Sequence, residues 1–250
     1  MTAFETGRLL GRIPFLRIGA GPPVVVLYGG QALFQPLDRA GRRHARRVAG
    51  LMPAGRTLLV LGYPAEPPAD YSLDTLAADV AAIMRAETGP APVVGISFGG
   101  FIALRLAAAR PDLVQRLALL VSAHRFSAEG RRRIERQIAF LERDDAYGLM
   151  ADFAGVFRRP WLALLLRLRL WTGRRRLAAR LNAPAAIIRG LQLPLDAQEE
   201  EAPARLGRIA APTLILGGTA DPFFTVEDMR ATAALIPGAR LELFAGEGHM

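Results

Sequence analysis

The stretch Gly95-Ile96-Ser97-Phe98-Gly99-Gly100 sets a serine between two glycines, where an apolar run ends and an Ala- and Leu-rich run begins. Glycine two positions before and two after a serine, at a strand-to-helix turn, is the pattern of a nucleophile held in a tight elbow. The reason is steric. The turn forces Ser97 into a strained backbone, and side chains at Gly95 or Gly99 would collide with the neighbouring strand and helix. The serine oxygen then lies at the positive end of a helix, where an oxyanion is stabilised. The chemistry that suits this is attack of Ser97 on a carbonyl carbon. A serine nucleophile needs a base, and the chain offers three histidines, His44, His124 and His249. There is no cysteine, and all 32 Lys and Arg positions are arginine. That excludes disulfides, a thiolate metal site, a cysteine nucleophile and a lysine Schiff base.

The elements that must position Ser97 alternate along the chain. Short β-rich runs occur at Ile13–Ile18, Val24–Leu27, Thr57–Leu61, Val93–Ile96, Leu117–Val121, Thr213–Leu216 and Leu241–Phe244. Several are continuous apolar stretches, as expected of strands covered on both faces in a parallel sheet. Between them, Leu73–Glu87 has apolar residues at helical spacing. Phe98–Arg110 is stopped by Pro111, and Thr225–Ile236 opens on Thr and acids and ends at Pro237-Gly238. This alternation predicts an α/β fold with a mostly parallel central sheet flanked by helices. The alternation breaks between about His124 and Arg205, where only helical patterns occur: a Ser127-capped start over Glu129–Gln137, then Asp145–Phe157, Pro160–Trp171, Arg174–Leu181 and Ala185–Leu191.

With these motifs in place, the sequence resembles the α/β-hydrolase family, and several positions match its order of serine, then acid, then histidine. After the strand Thr213–Leu216 comes Gly217-Gly218-Thr219-Ala220-Asp221-Pro222, similar to the family's acid loop. The resemblance implies that Asp221 orients and stabilises the imidazole. After the last strand, Gly246-Glu247-Gly248-His249 looks like the family's histidine loop, which makes His249 the implied general base. His44 sits in the arginine run Arg42–Arg47, which reads as a solvated helix face. His124 lies at the entry to the helical stretch, where the family does not keep its base. The strand Val24–Leu27 is followed by Tyr28-Gly29-Gly30-Gln31, with Tyr28 at the family's usual histidine position. By resemblance, the N–H groups of Gly30 and Phe98 form the oxyanion hole, with Gln31 as a substitute for Gly30. Serine at the elbow separates the chain from the related dehalogenases and epoxide hydrolases, which place aspartate there.

The resemblance implies a core domain over residues 1–123 and 206–250 and an all-α cap insertion over 124–205. The insertion carries 16 arginines against 10 acids, six of the nine net positive charges of the chain. Its segment Trp161–Trp171 admits two readings: an amphipathic lid touching lipid or an oily substrate, or a cap helix packing its apolar face inward with arginines outward. Arg174-Arg175-Arg176 reads as a solvated charge run or a site for acidic groups. The loop Leu61-Gly62-Tyr63-Pro64 is expected only to rim the pocket. The given sequence ends at Met250, one residue after His249, where the family continues into a further helix; either the sequence is truncated there or the histidine loop is a free end, which would orient His249 poorly.

At 250 residues, with 51% hydrophobic and 22% charged residues, the chain has ample material for a buried core and is not a disordered polymer. No apolar run approaches the ~20 residues of a membrane span. Its first twenty residues contain no apolar block of the secretory kind. The expectation is a cytoplasmic monomer or homodimer without stable membrane insertion. A net charge of +9 suggests nucleic acid. The Arg-for-Lys swap is equally the product of a GC-rich coding bias, and no nucleic-acid motif is present, so no nucleic-acid partner is expected. The reading is a serine hydrolase acting on an ester or similar acyl bond of a small, hydrophobic acyl substrate, with no cofactor or metal. Acyl transfer to another acceptor and carbon–carbon bond cleavage use the same three residues, and a non-catalytic binding protein on the same scaffold is the alternative of a different class.

Overall fold

A computed structural model of the chain describes residues 4–39, 50, 55–154, 160–174, 177–197 and 202–250. Its strands are β1 (Phe4–Leu9), β2 (Ile13–Gly19), β3 (Pro23–Leu27), β4 (Thr57–Leu61), β5 (Ala91–Ile96), β6 (Val114–Leu120), β7 (Thr213–Gly218) and β8 (Arg240–Phe244). They form one sheet in the order β1-β2-β4-β3-β5-β6-β7-β8. From β4 across to β8 every neighbouring pair is parallel; β1 and β2 add an antiparallel hairpin at one edge. Val25, Val26, Leu59 and Val60 are buried, the environment that the continuous apolar runs predict.

The helices are α1 (Gln31–Phe34), α2 (Leu73–Glu87), α3 (Phe98–Ala109), α4 (Ala128–Glu142), α5 (Ala146–Ala154), α6 (Pro160–Thr172), α7 (Pro184–Gln192), α8 (Ala202–Leu206) and α9 (Val226–Leu235). Helix α3 packs on β3, β5 and β6, α2 lies beside α3, and α9 lies against β7 and β8. Capping boxes start α2 at Ser72–Thr75 and α9 at Thr225–Asp228, each satisfying orphan N–H groups of the first turn. Ser127 caps α4 by accepting the Gly130 N–H at 2.9 Å. Between β6 and β7 the described residues contain helices and no strand.

The short helices α1 and α8 are additional to the sequence reading, and two further elements differ from it. Strand β1 is additional. Its sequence, FETGRL, is polar and carries no apolar run, and it is recruited by a turn in which Leu10 and Gly11 both take positive φ, 50° and 68°. In place of a helix over Arg174–Leu181, the described residues hold a 3₁₀ turn at Ala178–Arg180. Gly173 ends α6, and Asn182 is then pulled to α1, its N–H on the Phe34 carbonyl at 2.8 Å and its Nδ2 on that of Leu33 at 2.9 Å.

Candidate active site at the ends of the parallel strands

The loops that follow β3, β5, β6, β7 and β8 leave the carboxyl ends of parallel strands, the edge at which open α/β sheets build their sites. Ser97 joins β5 to α3 with φ 50° and ψ −117°, a sparsely populated backbone for a non-glycine residue. The turn around it is held from outside. The Ser97 N–H donates to the Leu120 carbonyl at 2.9 Å, and the Ser122 hydroxyl donates to the Ser97 carbonyl at 2.8 Å. A Cβ on Gly95 would lie 2.7 Å from the Gly100 Cα and 2.8 Å from the Ala103 Cβ. A Cβ on Gly99 would overlap the Leu27 carbonyl, and one on Gly100 the Ser122 hydroxyl. The glycine run is therefore the mould of the elbow. Ser122, fully buried, is a site residue that sequence reasoning missed, because a lone serine after a strand carries no local signal.

The hydroxyl of Ser97 lies 2.9 Å from His249 Nε2, and His249 Nδ1 lies 2.8 Å from Asp221 Oδ2. An ionised carboxylate only accepts, so the proton between the latter two sits on Nδ1, leaving Nε2 to accept from the Ser97 hydroxyl. The Asp221 side chain is fully buried, and that of His249 is 11% exposed. The other carboxylate oxygen, Oδ1, accepts the N–H groups of Phe223 at 2.8 Å and Phe224 at 3.2 Å. A buried carboxylate with both oxygens engaged cannot rotate without losing charge-assisted bonds. The rings of Phe223 and Phe224 lie 4.8 and 5.8 Å from the imidazole and fix its plane from the side.

The histidine loop is anchored, contrary to the expectation of a poorly oriented free end. The Glu247 carbonyl accepts the Ala220 N–H at 2.8 Å, the Phe244 carbonyl accepts the Thr219 N–H at 3.1 Å, and Gly246 N–H donates to Thr219 Oγ1 at 2.7 Å. The loop carrying the carboxylate and the loop carrying the imidazole are thereby one unit. The helical insertion grips the same unit, since the Ser127 hydroxyl donates to the Pro222 carbonyl at 2.6 Å.

Gly30 opens α1, and a Cβ built on it would lie 4.0 Å from the Phe98 Cβ. The Gly30 and Phe98 backbones therefore adjoin beside Ser97. Phe98 N–H is the first of α3 and has no carbonyl one turn back within the helix to bond. Tyr63 shapes this region more than a rim residue does. Its hydroxyl donates to the Tyr28 carbonyl, and its ring meets that of Phe98 edge-on at 4.9 Å. Burial pushes the Tyr63 phenol pKa well above its ordinary value, with Tyr71 adding to the effect, so Tyr63 remains a donor.

The remaining candidates lie apart from Ser97. His124 is bonded to Thr232 Oγ1, by its N–H at 3.0 Å and its Nδ1 at 2.8 Å. The Arg42–Arg47 run with His44 is outside the described residues, as are Arg175 and Arg176. The guanidinium of Arg174 stacks 4.4 Å from the Trp171 ring. Helix α6 turns one apolar side inward, with Leu162, Ala163, Leu166 and Leu170 half-buried, and leaves a second outward, where Trp161, Leu164, Leu165, Leu168 and Trp171 are exposed. Among the described residues there is no group of three His, Asp or Glu suited to hold a metal ion. None of their helices is long and apolar enough to cross a membrane.

The family model described as alpha/beta hydrolase fold matches residues 62–250. A pimeloyl-[acyl-carrier protein] methyl ester esterase of Xanthomonas oryzae pv. oryzae is 30% identical over 93% of this chain and 89% of its own length. The polyketide synthase ThaQ of Burkholderia thailandensis is 33% identical over 95% of this chain, which spans only 11% of that protein. Among solved structures, an alpha/beta hydrolase enzyme from a Medee basin deep-sea metagenome library superposes with a TM-score of 0.76 at 16% identity, over 98% of this chain and 90% of that one.

Proposed function

The chain belongs to the alpha/beta hydrolase fold family, and from that premise we propose that it is a serine hydrolase cleaving a carboxylic ester or similar acyl bond. Ser97, His249 and Asp221 are the catalytic triad of this reading. Ser97 Oγ attacks the substrate carbonyl carbon while its proton passes to His249 Nε2. The N–H groups of Gly30 and Phe98 hold the resulting oxyanion, each such donor contributing about 3–4 kcal/mol of barrier lowering. The tetrahedral intermediate collapses as His249 returns the proton to the leaving alkoxide, giving an acyl-enzyme. His249 then takes a proton from water, the hydroxide attacks the acyl carbon, and Ser97 leaves with the proton restored. Asp221 holds the imidazole in the tautomer that accepts from serine.

The observation that carries this reading is the 2.9 Å approach of Ser97 Oγ to an imidazole whose other nitrogen is 2.8 Å from a buried carboxylate. The helical insertion between β6 and β7 acts as a cap over the site. Its support comes from the contacts that bind it to both sides: Asn182 to α1, and Ser127 to the Asp221 loop. The substrate is a small, predominantly apolar acyl group in ester linkage, and the named methyl ester esterase among the relatives supports a small alcohol as leaving group. A fluorophosphonate probe should label Ser97 of the folded protein, and a panel of p-nitrophenyl esters should show turnover that depends on that residue. Folded protein that neither labels nor turns over any ester would leave a binding protein on a hydrolase scaffold.

A further inference from the structure

Helix α6 is unusual in what it leaves uncovered. Trp161, Leu164, Leu165, Leu168 and Trp171 are each between 52% and 61% exposed. At about 100° of rotation per residue these five fall within an arc of about 120°. Leu162, Ala163, Leu166 and Leu170 are half-buried on the opposite side of the helix, and α6 packs against α5. Burial inside the fold therefore does not account for the outer apolar stripe.

The charges around the stripe are one-signed. On the same rotation Arg167 flanks one shoulder and Arg169 the other, and both are exposed. The sequence from Arg158 to Arg176 holds seven arginines and no acid. The tryptophans stand near the two ends of the helix, and Arg174 stacks on the Trp171 ring. An apolar stripe of Leu and Trp with arginine on both shoulders matches a helix lying flat in a bilayer interface: apolar side chains enter the acyl boundary, tryptophans sit at headgroup depth, and guanidinium groups reach phosphates. A second copy of this chain fits less well, because it would bring two arginine-rich surfaces of a protein of net charge +9 face to face.

We propose that the outer face of α6 docks this protein reversibly onto anionic lipid surfaces. The inference concerns a surface and holds whether or not Ser97 is a nucleophile.

The chain contains two tryptophans, and both lie on this helix, so emission excited selectively from tryptophan reports on α6 alone. The test adds vesicles of phosphatidylglycerol and phosphatidylcholine, or of phosphatidylcholine alone, to the 250-residue chain. Emission is followed alongside vesicle co-sedimentation. The expected result is a blue shift and co-sedimentation with the anionic vesicles, weakened by added salt. Partitioning should fall at least about tenfold for the double variant Leu164→Glu/Leu168→Glu, since each change puts a negative charge into the apolar stripe that would enter the bilayer. Arg167→Glu/Arg169→Glu should also weaken it, with circular dichroism confirming that both variants fold. Unchanged emission with anionic vesicles overturns the proposal, as does equal binding to neutral ones. So does a blue shift that grows with protein concentration in the absence of lipid, which would mean that a second copy covers the face.

Discussion

The Glu247 carbonyl occupies the space that a side chain on Gly218 would need, and it bonds the Ala220 N–H from that position. Gly218 ends β7 and Glu247 lies two residues before His249, so this contact sets the distance between the carboxylate loop and the imidazole loop. Gly218→Ala should displace the histidine loop while leaving the elbow intact. The expected outcome is a kcat loss of about 100-fold, the scale set by a misplacement of about 1 Å. Fluorophosphonate labelling should slow in parallel. Steady-state kinetics and labelling rates read this directly, and wild-type values for both would show that the loop contact does not position His249.

Ser97 holds its unfavourable backbone whatever chemistry it performs. Ser97→Ala should abolish turnover of a short p-nitrophenyl ester and keep the fold. Ser97→Gly should be equally inactive yet about 1 kcal/mol more stable than Ser97→Ala, because glycine accepts positive φ without strain. Thermal melts of the two variants make the comparison, and a glycine variant clearly less stable than the alanine variant would contradict the assigned strain.

Asp221→Asn keeps shape and volume, and its carbonyl oxygen can still accept from Phe223 and Phe224. Its amide would then face His249 Nδ1 as a donor, favouring the tautomer that places the proton on Nε2, where it cannot accept from serine. The expected loss in kcat is about 10⁴-fold, with little change in KM or melting temperature. A loss below tenfold in ester kinetics would mean that the imidazole does not depend on Asp221.

Tyr63→Phe removes the donor to the Tyr28 carbonyl and should cost about 1–2 kcal/mol. The phenol pKa of Tyr63 is raised by burial, and burial likewise raises that of Tyr71. In the unfolded chain both phenols titrate near pH ~10. A folded pKa above the unfolded one means that the stabilisation is fully present below about pH 10 and is lost as pH rises beyond it. Denaturant melts between neutral and strongly alkaline pH should show that decline in the wild type and a shallower one in Tyr63→Phe. Identical slopes would place the alkaline sensitivity elsewhere.

Much of this architecture is written locally. The parallel strands are legible because both of their faces are buried, so the apolar runs at Val24–Leu27 and Thr57–Leu61 have no alternation to conceal them. The elbow is legible because a tight turn excludes side chains, and Gly95 and Gly99 record that exclusion in residue type. Strand β1 was not legible, because a polar edge strand owes its place to its partner β2 and a turn whose first positive-φ residue is Leu10 rather than Asn or Asp.

What the chain alone determined is the identity and order of the candidate catalytic groups, and the sterically coded turn that presents Ser97. Distance was decided by the fold, since Ser97 and His249 are separated by 152 positions and are bonded only through the stacking of strands between them. The supports of the site, Ser122 beneath the elbow, Tyr63 on the Tyr28 carbonyl and Glu247 against Gly218, are ordinary residues whose roles exist only where segments remote in sequence meet. The direction of the α6 stripe belongs to the same class. Periodicity describes a two-faced helix, but which face turns to solvent depends on what packs against the other.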